Sequence, residues 1–261
     1  MTFPFAPPPI KGSSETPLWQ NGFFVMGAQK QKVLKYSHNE AGWDDSLTAL
    51  HEENSGDDHP MEMASRKNTI AQIQRFSNAK HPVILEIGCS SGYLLKDLRE
   101  HFQEAFFIGA DVISDTLETV ATELKTIPIM QFDITQCPLP DNSIDVLAML
   151  NVLEHIENDA AALAQAYRIL KPGGILVMEV PAGPHLYDVH DSYLRHFRRY
   201  KSADLCSKIQ NAGFTITHQS HLGVLLYPLF YIVKKKNKRF LKASEAEQKK
   251  IIAKSLTKSR E

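Results

Sequence analysis

From Pro82 onward the sequence alternates short apolar runs with amphipathic segments, and this pattern constrains the fold more than any other feature of the chain. The first apolar run, 83–87 (VILEI), is interrupted only by Glu86, and the amphipathic stretch 93–102 follows it. A second pair covers 105–110 and 114–124, with Ser114 or Asp115 placed to cap the helix start. A third run, 128–132, leads into the turn-rich CPLPDNS. The fourth run, 144–150, precedes a helical stretch over 159–170, which KPGG ends before a fifth run at 175–180. Strands buried on both faces of a parallel sheet read as unbroken apolar runs, and each parallel return requires a crossover helix. The expected fold is therefore α/β: a doubly wound, mostly parallel, Rossmann-like sheet of six or seven strands with helices on both faces. A further helix over 202–212, closed by Gly213, and a strand over 214–218 complete the expected order. No fixed-period repeat is present.

Upstream of this region the pattern weakens. Five prolines within residues 1–20 predict an irregular arm, and 36–65 holds eight acids with no Lys or Arg, ending in the loop-forming SGDDHP. We place a boundary at 59, with a helix over 60–77 that opens on Pro60. The expected organisation is an arm and acidic loop (1–59), a main domain (60–233, with ligand-binding motifs at 83–180) and a basic tail (234–261). That tail carries eleven Lys/Arg against three acids, a net +8, and leaves the rest of the chain at −9. So acidic a body disfavours nucleic acid as a partner. Just before the tail, 222–233 (LGVLLYPLFYIV) is too short to cross a bilayer as a helix, at roughly 18 Å against roughly 30 Å of hydrocarbon. Two readings stand: burial against the protein's own sheet, or peripheral membrane contact through 222–239 with the basic flank facing acidic headgroups. Cys89, Cys137 and Cys206 have no paired spacing, and MTFPFAPPPI has no basic, apolar leader, so a cytoplasmic location is expected, with the inner membrane face as the peripheral variant.

The first strand ends in Leu85-Glu86-Ile87-Gly88-Cys89-Ser90-Ser91-Gly92, a glycine turn between strand and helix where backbone can approach a ligand. A dinucleotide fingerprint would place glycine at position 90, where Ser stands, and a phosphate loop would need Gly-Lys-Ser/Thr. Glu86, beside this loop, repels phosphate and attracts a cationic amino group. At the end of the second strand Asp111 can accept from both hydroxyls of a ribose. At the end of the third, Asp133 can accept from an exocyclic amine while the neighbouring Ile134 N–H donates to a ring nitrogen, as adenine requires. Each aspartate alone could equally be a loop or helix-cap carboxylate.

Taken in order, VILEIGCSSG, GADV, QFDIT, IDVLAMLNVLEHIEN and LKPGGILVMEVP resemble the class I, Rossmann-like S-adenosylmethionine-dependent methyltransferases of the type 11/12 kind, over about half the chain. The resemblance implies S-adenosyl-L-methionine as cofactor. It assigns Glu86, Gly88 and Gly92, within the loop that also holds Cys89, to the methionine end, Asp111 and Val112 to the ribose, Asp133 and Ile134 to the adenine, and Asn151 to the vicinity of the methionine. The chain departs from the family in having Ser90 at a common glycine position. It also lacks an apolar segment after Val233 for the family's reversed last strand.

The segment PAGPHLYDVHDSYLRHFRRY (181–200) follows the fifth strand and gathers His185, His190, Asp191, His196, Arg198, Arg199 and three tyrosines. His190 or His196 is the candidate general base; the alternatives are packing and substrate contact. Arg195, Arg198 and Arg199 are candidates for binding an anionic group of the substrate. His155 is read as opening or capping a helix in preference to removing a proton, and no spacing fits a helical metal pair, so no metal is expected. The expected activity is methyl transfer to a small-molecule or lipid/glycan-linked acceptor. The competing readings are a non-catalytic cofactor-binding protein acting as sensor or scaffold, and a nicotinamide dehydrogenase, which the missing G-x-G and Glu86 disfavour. Oligomeric state is not legible from the sequence.

Overall fold

A computed structural model describes residues 3–37, 59–114, 116–244, 247–248 and 250–252. Most of the acidic stretch, Asp115 and the last nine residues of the tail lie outside these, as do the expectations attached to them. Six parallel strands form the central sheet: β4 (Val33–Lys35), β5 (Val83–Ile87), β6 (Phe106–Asp111), β7 (Ile129–Gln131), β8 (Ile144–Leu150) and β9 (Leu170–Glu179). Their spatial order is β4-β7-β6-β5-β8-β9, and every neighbouring pair is parallel. The chain leaves β5 in one direction to β6 and β7 and later returns on the other side to β8 and β9. The order therefore reverses between β5 and β8, which opens a crevice at their carboxyl ends.

Helices cover both faces. On one, α1 (Pro60–Phe76), α2 (Tyr93–His101) and α3 (Leu117–Glu123) bury Ile70, Ile73, Leu94, Leu95, Leu98, Leu117 and Val120 against Ile84, Val146 and Ala148. On the other, α4 (Asp159–Ile169) buries Ala162, Leu163, Ala166 and Ile169 against Leu85, Leu147 and Met149. Alternate residues of β5, and of β8 from Val146 onward, thus serve different cores, which is why both strands read as continuous apolar runs.

The sheet corrects the sequence expectations at both edges. Residues 214–218 form no strand, and the sixth strand is β4, from the region upstream of the acidic stretch. Within the arm expected to be irregular, β1 (Leu18–Gln20) begins an antiparallel meander that continues through β2 (Phe23–Met26) and β3 (Gln29–Gln31). Its Phe24, together with Phe3, Phe5 and Trp19, packs into the same core as α4. Runs of three or four residues carry too little periodicity to stand out between prolines and glycines.

At the opposite edge β9 starts at Leu170 and includes KPGG, with a register shift where Leu170 pairs with Ile144 and Ile175 with Val146. The helix does end at Ile169, directly before KPGG, but the shift takes the glycines into the strand, which therefore starts at 170 rather than 175. Helix α3 begins at Leu117 with Thr116 as N-cap and no side-chain cap, so Ser114 does not cap it. Beyond β9 lie α5 (Val189–Tyr193), α6 (Ser202–Asn211) and α7 (Tyr227–Asn237). Burial of 222–233 against the sheet does not occur: eleven of its twelve residues are exposed, Leu225 by 95%. No described helix is long and apolar enough to cross a membrane.

If β4 is integral to the sheet, Leu34→Ala, at a position with 0% exposure, should destabilise the protein by about 2–5 kcal/mol in urea unfolding. A change within the noise of the titration would mean that the arm only rests on the domain.

Candidate functional site

The crevice at the carboxyl ends of β5, β6 and β8 is a cavity of about 780 Å³. Of the nine sequence-nominated binding residues, Glu86, Gly88, Cys89, Asp111, Val112, Asp133, Ile134 and Asn151 line it. Gly92 does not; it caps α2 in the left-handed region (φ 72°), and a side-chain carbon there would meet Val120 at 3.0 Å and Leu124 at 3.1 Å. Gly88 has φ 77°, and a Cβ on it would stand 2.4 Å from Val152 Cγ2, so only glycine brings the backbone this close to the cleft wall.

The loop is tied down by the strand beside it. Gly88 and Cys89 both donate to the Ala110 carbonyl, at 2.8 and 3.1 Å. Asp111 Oδ2 accepts from Ser90 N at 3.0 Å and Oδ1 from Ile113 N at 3.0 Å. These bonds hold Ser90 at φ 40°, the left-handed conformation that makes glycine common at such positions. Asp111 itself lies on the cleft wall. Asp133 Oδ1 accepts from Thr135 N at 2.7 Å, capping the 3₁₀ turn Ile134–Gln136, so the cap reading holds for it and coexists with its place on the cleft wall.

Glu86 is 6% exposed, and its Oε2 has no hydrogen-bond partner. Burial, followed by the nearby Asp111 carboxylate, pushes its carboxyl well above the usual range. An acceptor-rich carboxyl at the closed end of a cleft suits a ligand's ammonium group, which would satisfy the orphaned oxygen and restore the charged form.

The segment after β9 is laced onto the turn after β8. Phe197 N donates to the Glu154 carbonyl at 2.8 Å, and the Tyr200 hydroxyl to the Leu153 carbonyl at 3.2 Å and to Asp159 at 3.1 Å. Arg198 pairs with Asp159 at 2.9 Å and donates to the Ile156 and Glu157 carbonyls. Arg199 is buried on Asp191 at 2.7 Å. Two of the three arginines nominated for an anionic substrate are thus engaged within the fold, whereas Arg195 is exposed and lines the cleft with Phe197.

Asp191 is the hub. It accepts from His196 Nδ1 at 3.0 Å, from Arg199 and from Lys234 at 3.0 Å, and Lys234 also pairs with Asp188 at 2.8 Å. Burial opposes ionisation of Asp191, but His196, Lys234 and Arg199 outweigh it and hold the carboxyl well below the usual range. His196 touches the His155 ring edge-on, with centroids 4.6 Å apart. Of the cleft-lining residues only His155 is an imidazole; His196 stands behind it, and His190, on α5, lines neither this cleft nor the larger groove beside β9. Sequence reading placed His155 at a helix start, because nothing local reveals that His196 will back it.

One oxygen of Glu154 and a ring nitrogen of each of His155 and His196 lie within 4.8 Å of one another, the one such trio among the described residues. Burial lifts the Glu154 carboxyl to about 8. A helical-pair search cannot detect a set drawn from two segments.

Residues 85–178 match the family model described as a methyltransferase domain. Over 146 residues the chain is 30% identical to a probable S-adenosylmethionine-dependent methyltransferase of Mycolicibacterium smegmatis, covering 54% of each. It is 27% identical over 156 residues to the malonyl-[acyl-carrier protein] O-methyltransferase of Serratia marcescens, covering 58% of this chain and 60% of the relative. The chain thus spans little more than half the length of these relatives. Among solved structures, the phosphoethanolamine N-methyltransferase 2 of Haemonchus contortus, in complex with S-adenosyl-L-methionine, superposes with a TM-score of 0.55 at 14% identity. That match covers 83% of this chain and 56% of the other, and it speaks to the fold.

The raised Glu154 carboxyl sets a pH dependence. Its folded pKa, about 8, lies above the ordinary carboxyl value of 4.5, so stability is lost as pH rises through that window and the unfolded chain ionises first. Glu154→Gln should therefore gain on the wild type by about 1.4 kcal/mol per pH unit, at most, between pH 4.5 and 8. A difference that is flat with pH in parallel denaturant titrations would reject the buried-acid assignment.

Proposed function

Residues 85–178 being a methyltransferase domain of the class I, Rossmann-like, S-adenosylmethionine-dependent kind, we propose that the chain transfers the methyl group of S-adenosylmethionine to a small-molecule or lipid/glycan-linked acceptor. The observation that carries this reading is the placement of Glu86, Asp111 and Asp133 at the ends of three adjacent parallel strands around one cavity. Glu86 holds the amino group and Asp111 the two ribose hydroxyls. Asp133, with the Ile134 N–H, holds the adenine edge, and Gly88, Cys89 and Asn151 wall the methionine part. The orphaned Glu86 oxygen and the glycine-only approach at Gly88 both fit that ligand.

When bound, S-adenosylmethionine supplies a methyl on a sulfonium that needs no further activation. The protein's task is to align the acceptor with it and to exclude water. Val152, His155, Arg195 and Phe197 form the wall on which the acceptor is placed. For an acceptor that must lose a proton, His155 is the base within reach, and His196, fixed by Asp191, holds the His155 ring. His190 takes no part in this assignment.

The reading separates binding from turnover. Asp111→Ala should weaken calorimetric affinity for S-adenosylhomocysteine by about 1.5–3 kcal/mol, the range for hydrogen bonds to a charged group. His196→Ala should leave that affinity within about threefold while lowering label transfer from methyl-labelled S-adenosylmethionine to cell-extract acceptors by about tenfold or more. Equal loss of both quantities in both variants would indicate damage to the fold and reject the division of roles.

A further inference from the structure

The twelve residues 222–233 hold ten of the fourteen large apolar side chains exposed on the described surface, including Val224 at 61% and Leu229 at 65%. Single exposed apolar residues are ordinary, but a contiguous set is a contact surface. This one is presented rigidly. Lys234, one residue beyond it on α7, is buried in its ion pairs with Asp188 and Asp191, and the Tyr227 hydroxyl lies 3.0 Å from His185 Nε2. The Arg199 guanidinium stands over the Phe230 ring at 5.8 Å. These contacts fasten the helix to the segment that walls the cleft, while Leu225, Leu229, Tyr231, Ile232 and Val233 stay exposed outside the neighbouring groove.

Charge identifies the partner. Lys235, Lys236, Lys238, Arg239 and Lys242 follow on exposed positions, and the sequence has no Asp or Glu from 222 to 244. An apolar face bordered by exposed cations, with no acid among residues 222–244, matches the boundary between acyl chains and acidic headgroups. The eleven residues of α7 extend roughly 16 Å, enough to lie in that boundary and too short to cross the hydrocarbon.

Beneath the helix a groove of about 1600 Å³ follows the open edge of β9, lined by Ile175, Val177, Ile209, Phe214, Leu226 and Phe230 among others. Asn151 lines both this groove and the cofactor cleft. We propose that 222–239 seats the protein on an anionic lipid surface and that the groove admits the hydrocarbon chain of a lipid-linked acceptor as far as Asn151. The acceptor assignment rests on the methyl-transfer reading above; the docking does not.

The test uses the full chain and vesicles of phosphatidylcholine alone or mixed with phosphatidylglycerol. The protein should co-sediment with the mixed vesicles at low salt, and part of the binding should persist at high salt, where headgroup attraction is screened but insertion remains. Lys235→Glu/Lys236→Glu should reduce partition to the mixed vesicles by about tenfold or more, and Leu225→Glu/Leu229→Glu should remove the salt-resistant fraction. Both double variants should bind S-adenosylhomocysteine as the wild type does, which separates failure of docking from failure of the cofactor reading. Wild-type protein that stays in the supernatant, or variants that sediment like it, would overturn the docking. Methyl label supplied with a membrane extract should partition into the organic phase; label found only in the aqueous phase would overturn the lipid-linked acceptor.

Discussion

Asp111 is the residue on which the geometry of the cleft depends. It ends β6, and its two oxygens take one backbone N–H from the glycine loop after β5 and one from the turn after β6. A single buried carboxylate thereby joins two loops that a parallel sheet would otherwise leave to move separately. It also keeps Ser90 in a left-handed conformation that a serine rarely adopts unaided. With the loop fixed, Gly88 can lie against Val152 and Glu86 can sit at the closed end. The cost is electrostatic: two carboxyl groups share a buried region, and Glu86 is pushed toward its neutral form, beside a cavity suited to a cation.

The far wall depends on a second carboxylate, Asp191. Arg199, His196 and Lys234 converge on it from the same segment and from α7, so it ties the loop after β9, the basic helix and the imidazole pair into one unit. The cationic side chains there are held by internal carboxylates. From these two turns His155, Arg195 and Phe197 line the cleft. Docking α7 on a lipid surface would act on the site through this same unit, since Lys234 belongs to both.

The sequence disclosed the central strands because each is buried on both faces and so reads as an apolar run; 83–87 and 144–150 are matched to the residue. Eight of the nine nominated residues were legible as cleft-lining for a related reason: they sit at fixed offsets from strand ends, and the topology places those ends together. Strand β4 was not, since three residues derive their burial from β7, nearly a hundred positions away. Nor was the free edge of β9, because 214–218 has a strand-like composition and only tertiary structure shows that it does not pair. His155 was weighed by local position, whereas its significance comes from His196, forty-one residues later. Local pattern carries periodicity and offsets; it does not carry which distant side chains meet.

The central claim is that the crevice between β5 and β8 is built for a nucleoside bearing an amino-acid end rather than for a dinucleotide. Titration calorimetry of the full chain with S-adenosylhomocysteine and, separately, with NAD⁺ tests it most directly. The account predicts saturable one-to-one binding of S-adenosylhomocysteine and no heat of binding with NAD⁺, whose pyrophosphate would meet Glu86 and the Ser90 loop. Binding of NAD⁺ with comparable or greater affinity would contradict it.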